Sequence, residues 1–184
     1  RLVMIDGTWY NTTGGELVTN GTLSSATIPS EWEAWGSSGF KDYTNTSTLS
    51  IENNMLKVTG NASDGYGSVG IPFTAEVGQK YNINFNWSNG NSTDYYCNIF
   101  DNNGNIITSL GAVTTSQVSI TITAVTTTTW LQLGEHEAGT AYAYFDNISV
   151  YKLEPTLGTP VTTPISFLPK PYQVTSETPQ AEMS

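Results

Sequence analysis

The fold class is decided by residues 81–87, which read YNINFNW. Large apolar side chains alternate strictly with asparagine here, and a period of two is typical of a β-strand with one buried and one solvated face. Residues 117–123, QVSITIT, repeat the alternation, and shorter runs at 56–58 and 130–133 share it. Turn pairs separate these runs: Asp64-Gly65, Asn89-Gly90 and Asn103-Gly104. Strands recur about every ten residues without a helical stretch, and this spacing predicts an all-β, antiparallel β-sandwich.

The composition bounds the class of protein. The chain has 184 residues and a mass of 19.9 kDa, which suits one domain with tails. It contains 5 Trp, 10 Tyr and 6 Phe, and hydrophobic residues make up 38% of it, enough to build one core. Lys and Arg number 6 against 16 Asp and Glu, so the chain has a net charge of −10, and we expect it to repel nucleic acid. No apolar run approaches the roughly 18 residues of a membrane span, so we expect no membrane insertion.

Three segments differ in composition. Residues 1–14 hold a short strand-like run and a turn, and residues 15–153 hold the alternating segments. Residues 154–184 hold six of the 8 prolines, and we expect this segment to be extended, because proline lacks the donor of a sheet ladder. It is either a disordered linker or an interacting arm that lies on a neighbouring subunit or on its own domain, and we favour the arm.

The reactive side chains form no catalytic pattern. The only cysteine, Cys97, lies in an alternating apolar run, which predicts a buried strand residue and excludes an internal disulfide. The only histidine, His136, lies in a Gly- and Glu-rich turn with no nucleophile marked nearby, so we expect a solvated loop residue. No phosphate loop, zinc spacing or nucleotide fingerprint occurs. We therefore expect a protein without catalytic activity.

Two motifs carry a family resemblance. Residues 16–23 read ELVTNGTL and are followed by Trp32 and Trp35, and residues 143–150 read AYFDNISV. In this order and spacing they resemble the jelly-roll carbohydrate-binding modules of families 4, 9 and 22, within the wider galactose-binding-like sandwiches. The resemblance covers residues 15–153 and implies a jelly-roll sandwich that binds carbohydrate.

The resemblance also implies a structural calcium ion. In the family the acid of the closing strand, here Asp146, helps to hold the ion together with oxygens from the opening strand. If the apolar residues that follow it face the core, a period of two turns Asp146 inward as well, where a carboxylate needs a partner. The matching opening position is Thr22, where the family has an acid, so Asn20 and Glu16 would have to replace it. Alternatively, backbone amides satisfy Asp146 and no calcium binds.

The alternation predicts a ligand-binding face. If the aromatic residues of 81–87 face the core, Asn82, Asn84 and Asn86 line the opposite face of that strand. The same rule turns three further side chains away from the core: Tyr96, Trp130 and Gln132. We expect the asparagine row to lie beside them as a glycan platform. One of Trp32 and Trp35 should plug the sandwich, and we assign Trp35 to the ligand site. The alternative is an ordinary solvated or subunit-packed sheet face.

These features favour a non-catalytic carbohydrate-binding module in a surface or virion assembly, of the phage fibre or capsid decoration type. The acidic, Thr-, Asn- and Gly-rich composition without disulfides supports an assembly role. We expect an oligomer, extracellular or at a virion surface, whose subunits contact one another through residues 154–184. Two alternatives stay open: a purely structural subunit with no sugar ligand, and an accessory module of a secreted polysaccharide-degrading enzyme.

Overall fold

A computed structural model describes residues 2–5, 7–36, 39–61, 66–137 and 139–156. These residues form twelve strands and no helix, which confirms the all-β class. The strands are β1 (Leu2–Ile5), β2 (Thr8–Thr13), β3 (Glu33–Trp35), β4 (Thr48–Glu52), β5 (Met55–Thr59), β6 (Gly67–Thr74), β7 (Lys80–Asn89), β8 (Tyr95–Asp101), β9 (Ile106–Ser109), β10 (Gln117–Thr123), β11 (Thr128–Glu135) and β12 (Tyr142–Pro155). No helix long and apolar enough to cross a membrane occurs among the described residues.

The strands form two sheets that enclose one core. In sheet A, β10 pairs with β7, and β7 pairs with β12, the longest strand. The first residues of β12 pair with the β5–β4 hairpin, and its last residues pair with the β2–β1 hairpin. Sheet B has the order β3-β6-β11-β8-β9. All these pairings are antiparallel, so the predicted antiparallel sandwich of jelly-roll type is confirmed.

The core follows the predicted alternation. On β7, Tyr81, Ile83 and Phe85 are at most 2% exposed. Leu131 and Leu133 of β11 are fully buried and belong to the same cluster, contributed from sheet B. Burying one such side chain contributes about 1.5–3 kcal/mol. If a strand slipped by one residue against its neighbour, all of its buried apolar side chains would turn toward solvent. The burial of these side chains therefore fixes the register of each strand.

Two single residues fill the core as predicted. Trp32 is 6% exposed and packs in the main cluster, so it is the tryptophan that plugs the sandwich. Cys97 is 1% exposed on β8, and burial raises the pKa of its thiol far above the ordinary value. A thiol that stays protonated is a poor nucleophile, so Cys97 is a packing residue, and the prediction of a buried strand cysteine is confirmed.

A β-bulge interrupts β12. Asp146 pairs with Asn86, and the next pair is Ser149 with Asn84. Between these two pairs β12 therefore contains one residue more than β7. Asn147, inside the bulge, has a φ of 50°. This left-handed backbone conformation is one that asparagine adopts more readily than most residues.

The bulge changes which residues of β12 face the core. Phe145 and Ile148 are both buried although they are three positions apart. Asp146 lies on the outer face with its partner Asn86, so the prediction that Asp146 points inward is wrong. The physical reason is that a period of two does not hold across a bulge. The carboxylate accepts hydrogen bonds from the backbone amide of Asn147 at 2.6 Å and from its side-chain amide at 3.0 Å.

The described part of segment 1–14 continues sheet A. Strands β1 and β2 form a hairpin, and β2 pairs with the last residues of β12, from Lys152 to Pro155. Thr156 then donates its backbone N–H at 2.8 Å and its hydroxyl at 2.7 Å to the carbonyl oxygen of Trp9. Most of segment 154–184, for which an interacting arm is predicted, lies outside the described residues, which end at 156.

Candidate functional site

The three asparagines of β7 form a row on the outer face of sheet A. Asn82, Asn84 and Asn86 lie between β10 and β12. Asn82 is 4% exposed, and its Nδ2 donates to Ser119 Oγ at 3.0 Å. Asn84 Nδ2 donates to Asn82 Oδ1 at 2.8 Å, so Asn82 orients the amide of Asn84. Within the described part of the chain Asn86 has no side-chain partner, so its amide is open to a ligand both as donor and as acceptor.

Two adjoining hollows run along this row. One has a volume of about 450 Å³ and lies between β7 and β12. The other, of about 480 Å³, lies between β7 and β10. We name them together the asparagine groove, which is lined by Thr12, Asn82, Asn84, Asn86, Gln117, Val118, Ser119, Asn147, Ser149 and Tyr151. Its lining is rich in amides and hydroxyls and contains no lysine or arginine. The structure thus brings the three predicted asparagines together in one polar groove.

Two tyrosines of β12 share the face of the asparagine row. Tyr151 pairs with Asn82 and lines the groove, and Tyr144 pairs with Ser88 further along the same strands. Their odd spacing would place them on opposite faces of a regular strand, and the bulge brings them to one face. Both rings are partly exposed. Sequence reasoning missed both, although the alternation of residues 142–145 is a signal for Tyr144.

Glu16 ties the first loop to β12. Its Oε1 accepts hydrogen bonds from the backbone N–H of Val18 at 3.1 Å and of Val150 at 2.7 Å. The carboxylate also accepts a hydrogen bond from the hydroxyl of Tyr151, which raises the pKa of that phenol. Glu16 therefore holds the Tyr151 ring at the end of the groove.

The predicted calcium ligands come together only in part. Glu16 and Asn20 line one hollow of about 450 Å³, and Asp146 is not among its lining residues. Asn20 Oδ1 accepts from the backbone N–H of Ser25 at 3.2 Å. Each of the three predicted ligands thus already bonds a backbone amide, as the alternative for Asp146 expects. In the described ranges no three His, Cys, Asp or Glu side chains converge as metal ligands. Calcium binding stays a prediction, which a fall of Tm on adding a chelator would support.

The other predicted ligand residues lie in the opposite sheet. Strand β7 belongs to sheet A, whereas Tyr96 on β8 and Trp130 and Gln132 on β11 belong to sheet B. The outer faces of the two sheets of a sandwich point in opposite directions. The prediction that the asparagine row lies beside Tyr96 and Trp130 is therefore wrong. Alternation predicts the face of each strand, but it does not predict the sheet that the strand joins.

Trp130 and Trp35 lie in a second, smaller core on the outer side of sheet B. Trp35 is fully buried, Trp130 is 5% exposed, and their ring centroids are 5.4 Å apart. Phe40 and Phe100 complete this cluster. Lys41 Nζ lies 4.2 Å from the centroid of the Trp130 ring, close enough for a cation–π contact. Chain that follows β3 therefore covers both indoles, and the expectation that they offer open rings to a ligand is wrong.

Gln132 and Tyr96 make internal contacts as well. Gln132 is fully buried, its Nε2 donates to Ser68 Oγ at 2.9 Å, and its Oε1 accepts from Asn98 Nδ2 at 2.8 Å. The Tyr96 ring crosses Gly134, where any Cβ would collide with the ring. Tyr96 is 9% exposed, and burial raises the pKa of its hydroxyl to about 12. Both side chains hold sheet B together.

Ionisable side chains cluster at the end of β11. Glu135 is fully buried and accepts hydrogen bonds from two backbone N–H groups, at 2.7 and 2.8 Å, and burial raises its pKa to about 7. His136 is half exposed, and its Nδ1 lies 3.3 Å from Asp94 Oδ1. Its ring stacks on Tyr66 with 5.2 Å between centroids. His136 is therefore a loop residue held by two neighbours.

Solved structures with the same architecture identify the fold. A CBM4 module has a TM-score of 0.52 and 17% sequence identity, covering 73% of this chain and 99% of that one. The CBM22-1 xylan-binding domain from Paenibacillus barcinonensis Xyn10C has a TM-score of 0.53 and 13% identity, covering 77% of this chain and 97% of that one. The chain has the jelly-roll fold of carbohydrate-binding modules. The resemblance drawn from residues 16–23 and 143–150 is confirmed for the fold.

The same carbohydrate-binding-module fold occurs in a phage protein. The enzymatically active domain of bacteriophage CBA120 tailspike protein 4 has a TM-score of 0.55 and 14% identity over 74% of this chain. The match covers 21% of the tailspike chain, so this chain spans about a fifth of it. No protein-family model matches the sequence, and no curated protein matches it either.

Proposed function

We propose that this chain is a non-catalytic carbohydrate-binding module that holds a neutral glycan chain in the asparagine groove. The observation that carries this proposal is the gathering of three asparagines and two tyrosines on one outward face of sheet A. A fold does not by itself imply a function, so the proposal rests on this face and the fold adds to it.

The amides suit the hydroxyl groups of a sugar. Each asparagine side chain both donates and accepts hydrogen bonds, as each sugar hydroxyl does. Asn84 is already oriented by Asn82, so little rotational freedom is lost when a ligand binds. Asn86 lies between Asp146 of β12 and Gln117 of β10, at the centre of the face. Its unpartnered amide is the group that we expect to bind the sugar most directly.

The tyrosines suit the apolar faces of sugar rings. An aromatic ring offers a large, rigid contact area beside polar groups, and Tyr151 and Tyr144 do so at two points along the face. The charges near the groove favour a neutral ligand, because Asp146 and Glu16 lie beside it and the lining contains no cation. An acidic polysaccharide would meet unpaired negative charge here.

The test is a glycan array with the full chain, followed by calorimetry with the best ligand. Loss of one hydrogen-bonding amide costs about 0.5–1.5 kcal/mol, so Asn86→Ala should weaken binding up to about tenfold. Asn89→Ala is the matched control, because Asn89 is an exposed asparagine of the same strand that does not line the groove. A blank array with folded protein, or an equal loss in both variants, would contradict the proposal.

An extracellular or virion setting is the second part of the proposal. The likeness to the tailspike domain supports a surface assembly of the phage fibre or capsid decoration type. A purely structural subunit, or an accessory module of a polysaccharide-degrading enzyme, are the alternative settings. Light scattering of the full chain checks the expected oligomer, and truncation after Thr156 checks that subunits contact one another through the C-terminal segment.

A further inference from the structure

The β1–β2 hairpin exposes an apolar face. Leu2, Met4 and Trp9 are 59%, 58% and 50% exposed. Met4 pairs with Trp9, and Leu2 pairs with Asn11, two residues further along β2, so all three side chains share one face of the hairpin. We name these three residues the hairpin face. Large apolar side chains grouped in this way mark a contact site rather than an ordinary surface.

The hairpin face continues the core side of sheet A. On β12, Lys152 and Glu154 follow Val150 at intervals of two, and Val150 is a core residue. Glu154 pairs with Asn11, which places the hairpin face on this same side of the sheet. Elsewhere this side packs against sheet B, yet the hairpin face is exposed. Within the described ranges, therefore, no second layer covers the hairpin.

The chain leaves the described region beside this face. Thr156 is bonded to the carbonyl oxygen of Trp9 through both its N–H and its hydroxyl. It also lines, with Leu2 and Trp9, a hollow of about 550 Å³. Residues 157–184 follow from this point, and their most apolar run is ISFL at 165–168. That run begins nine residues after Thr156. An extended chain of that length reaches about 30 Å, more than enough to return to the hairpin face.

We propose that residues 165–168 dock on the hairpin face of their own chain and supply the apolar layer that sheet B does not provide there. Ile165 and Phe167 have the same spacing of two as Leu2 and Met4, so an extended run would present both to the face. Pro164 and Pro169 flank the run and carry no N–H donor. Contact through side chains is therefore favoured over addition of a strand to β1.

The size of the face argues for a tethered occupant rather than a second copy. A specific interface between two free proteins buries about 800 Å² on each partner, from about 20–30 residues. Three side chains fall far short of that. A segment tethered nearby is present at a millimolar effective concentration, so a small face is sufficient. Docking of this run leaves residues 169–184 for contact with another subunit.

The experiment measures how fast Met4 is oxidised in the full chain. Dilute hydrogen peroxide converts an accessible methionine to its sulfoxide, and peptide mass spectrometry follows each methionine separately. The variant is Phe167→Asp, and Val174→Asp is the control with the same charge change outside the run. We expect several-fold faster oxidation of Met4 in Phe167→Asp than in the wild type or the control. Met55, which is part of the folded sandwich, is the internal reference and should not change.

Two results would overturn the proposal. Equal oxidation rates of Met4 in the wild type and in Phe167→Asp would show that the run does not cover the face. Protection of Met4 that fades on dilution would make a second copy the occupant. Should Met55 also react faster in Phe167→Asp, the milder Phe167→Ser replaces it, and equal Met4 rates in that variant would refute docking in the same way.

Discussion

Replacement of Trp130 by alanine separates a structural role from a binding role. The indole is 5% exposed, packs on Trp35 and lies under Lys41, and its Nε1–H donates to Asn102 Oδ1 at 3.2 Å. Removing a buried tryptophan typically costs about 3–5 kcal/mol. For a domain of this size each kcal/mol lowers Tm by about 2–4 °C, so Trp130→Ala should lower Tm by about 6–20 °C. Glycan binding should survive below the new Tm, because the asparagine groove lies on the other sheet.

The assay pairs calorimetric unfolding with glycan titration at a temperature where both proteins are folded. Val77→Ala is the control for the loss of apolar area, since Val77 is 62% exposed and should leave Tm nearly unchanged. The reasoning would be refuted by a variant that keeps its Tm and loses the glycan. That outcome would mean that the Trp130 ring faces a ligand and that the second core does not form.

Three further predictions concern stability. Burial raises the pKa of Glu135 from its ordinary value of 4.5 to about 7, so its stabilising contribution is complete below about pH 4.5 and is lost as pH rises through about 7. Tm measured by calorimetry should therefore fall between about pH 5 and pH 8, and Glu135→Gln should flatten this dependence. A Cβ at Gly70 would overlap the Trp35 indole, so Gly70→Ala should cost about 1–3 kcal/mol in urea unfolding, and an unchanged midpoint would argue against this packing. Asn147→Ala and Asn147→Gly both remove the side-chain hydrogen bond to Asp146, but only alanine is strained by the positive φ. Asn147→Ala should therefore cost about 1 kcal/mol more than Asn147→Gly in urea unfolding, and equal losses would contradict the bulge geometry.

The fold class is predictable from the sequence because the pattern of buried and exposed residues can be read within each single strand. The alternation in residues 81–87 and 117–123 marks a buried and a solvated face without reference to the rest of the chain. The structure keeps those faces, and Asn82, Asn84 and Asn86 lie outward as predicted. Alternation does not predict which strand each strand pairs with. That choice depends on contacts between distant residues, so alternation alone does not show that Tyr96 and Trp130 belong to the sheet opposite the asparagine row.

Two parts of the candidate site depend on features with no local signature. The bulge at Asn147 rests on one backbone conformation among many asparagines, and only the pairing of β12 with β7 reveals it. A period of two therefore predicts the wrong face for Asp146 and gives no signal for Tyr151. The burial of Trp35 against Phe40, and of Trp130 under Lys41, depends on where the chain after β3 lies. Apolar residues in a loop predict that the loop packs on the protein surface, but they do not predict which side chains the loop covers.

The bulge in β12 switches which set of alternate residues faces the core. Before it, the odd-numbered residues Ala143 and Phe145 are buried; directly after it, the even-numbered residues Ile148 and Val150 are. Deleting one residue there would exchange the buried and the outward faces of the residues directly after the bulge, burying Tyr151 and exposing Val150. Single substitutions on this face leave the register of the strand unchanged. A change of length at Asn147 is tolerable only if the hydrophobic pattern of the rest of the strand shifts with it.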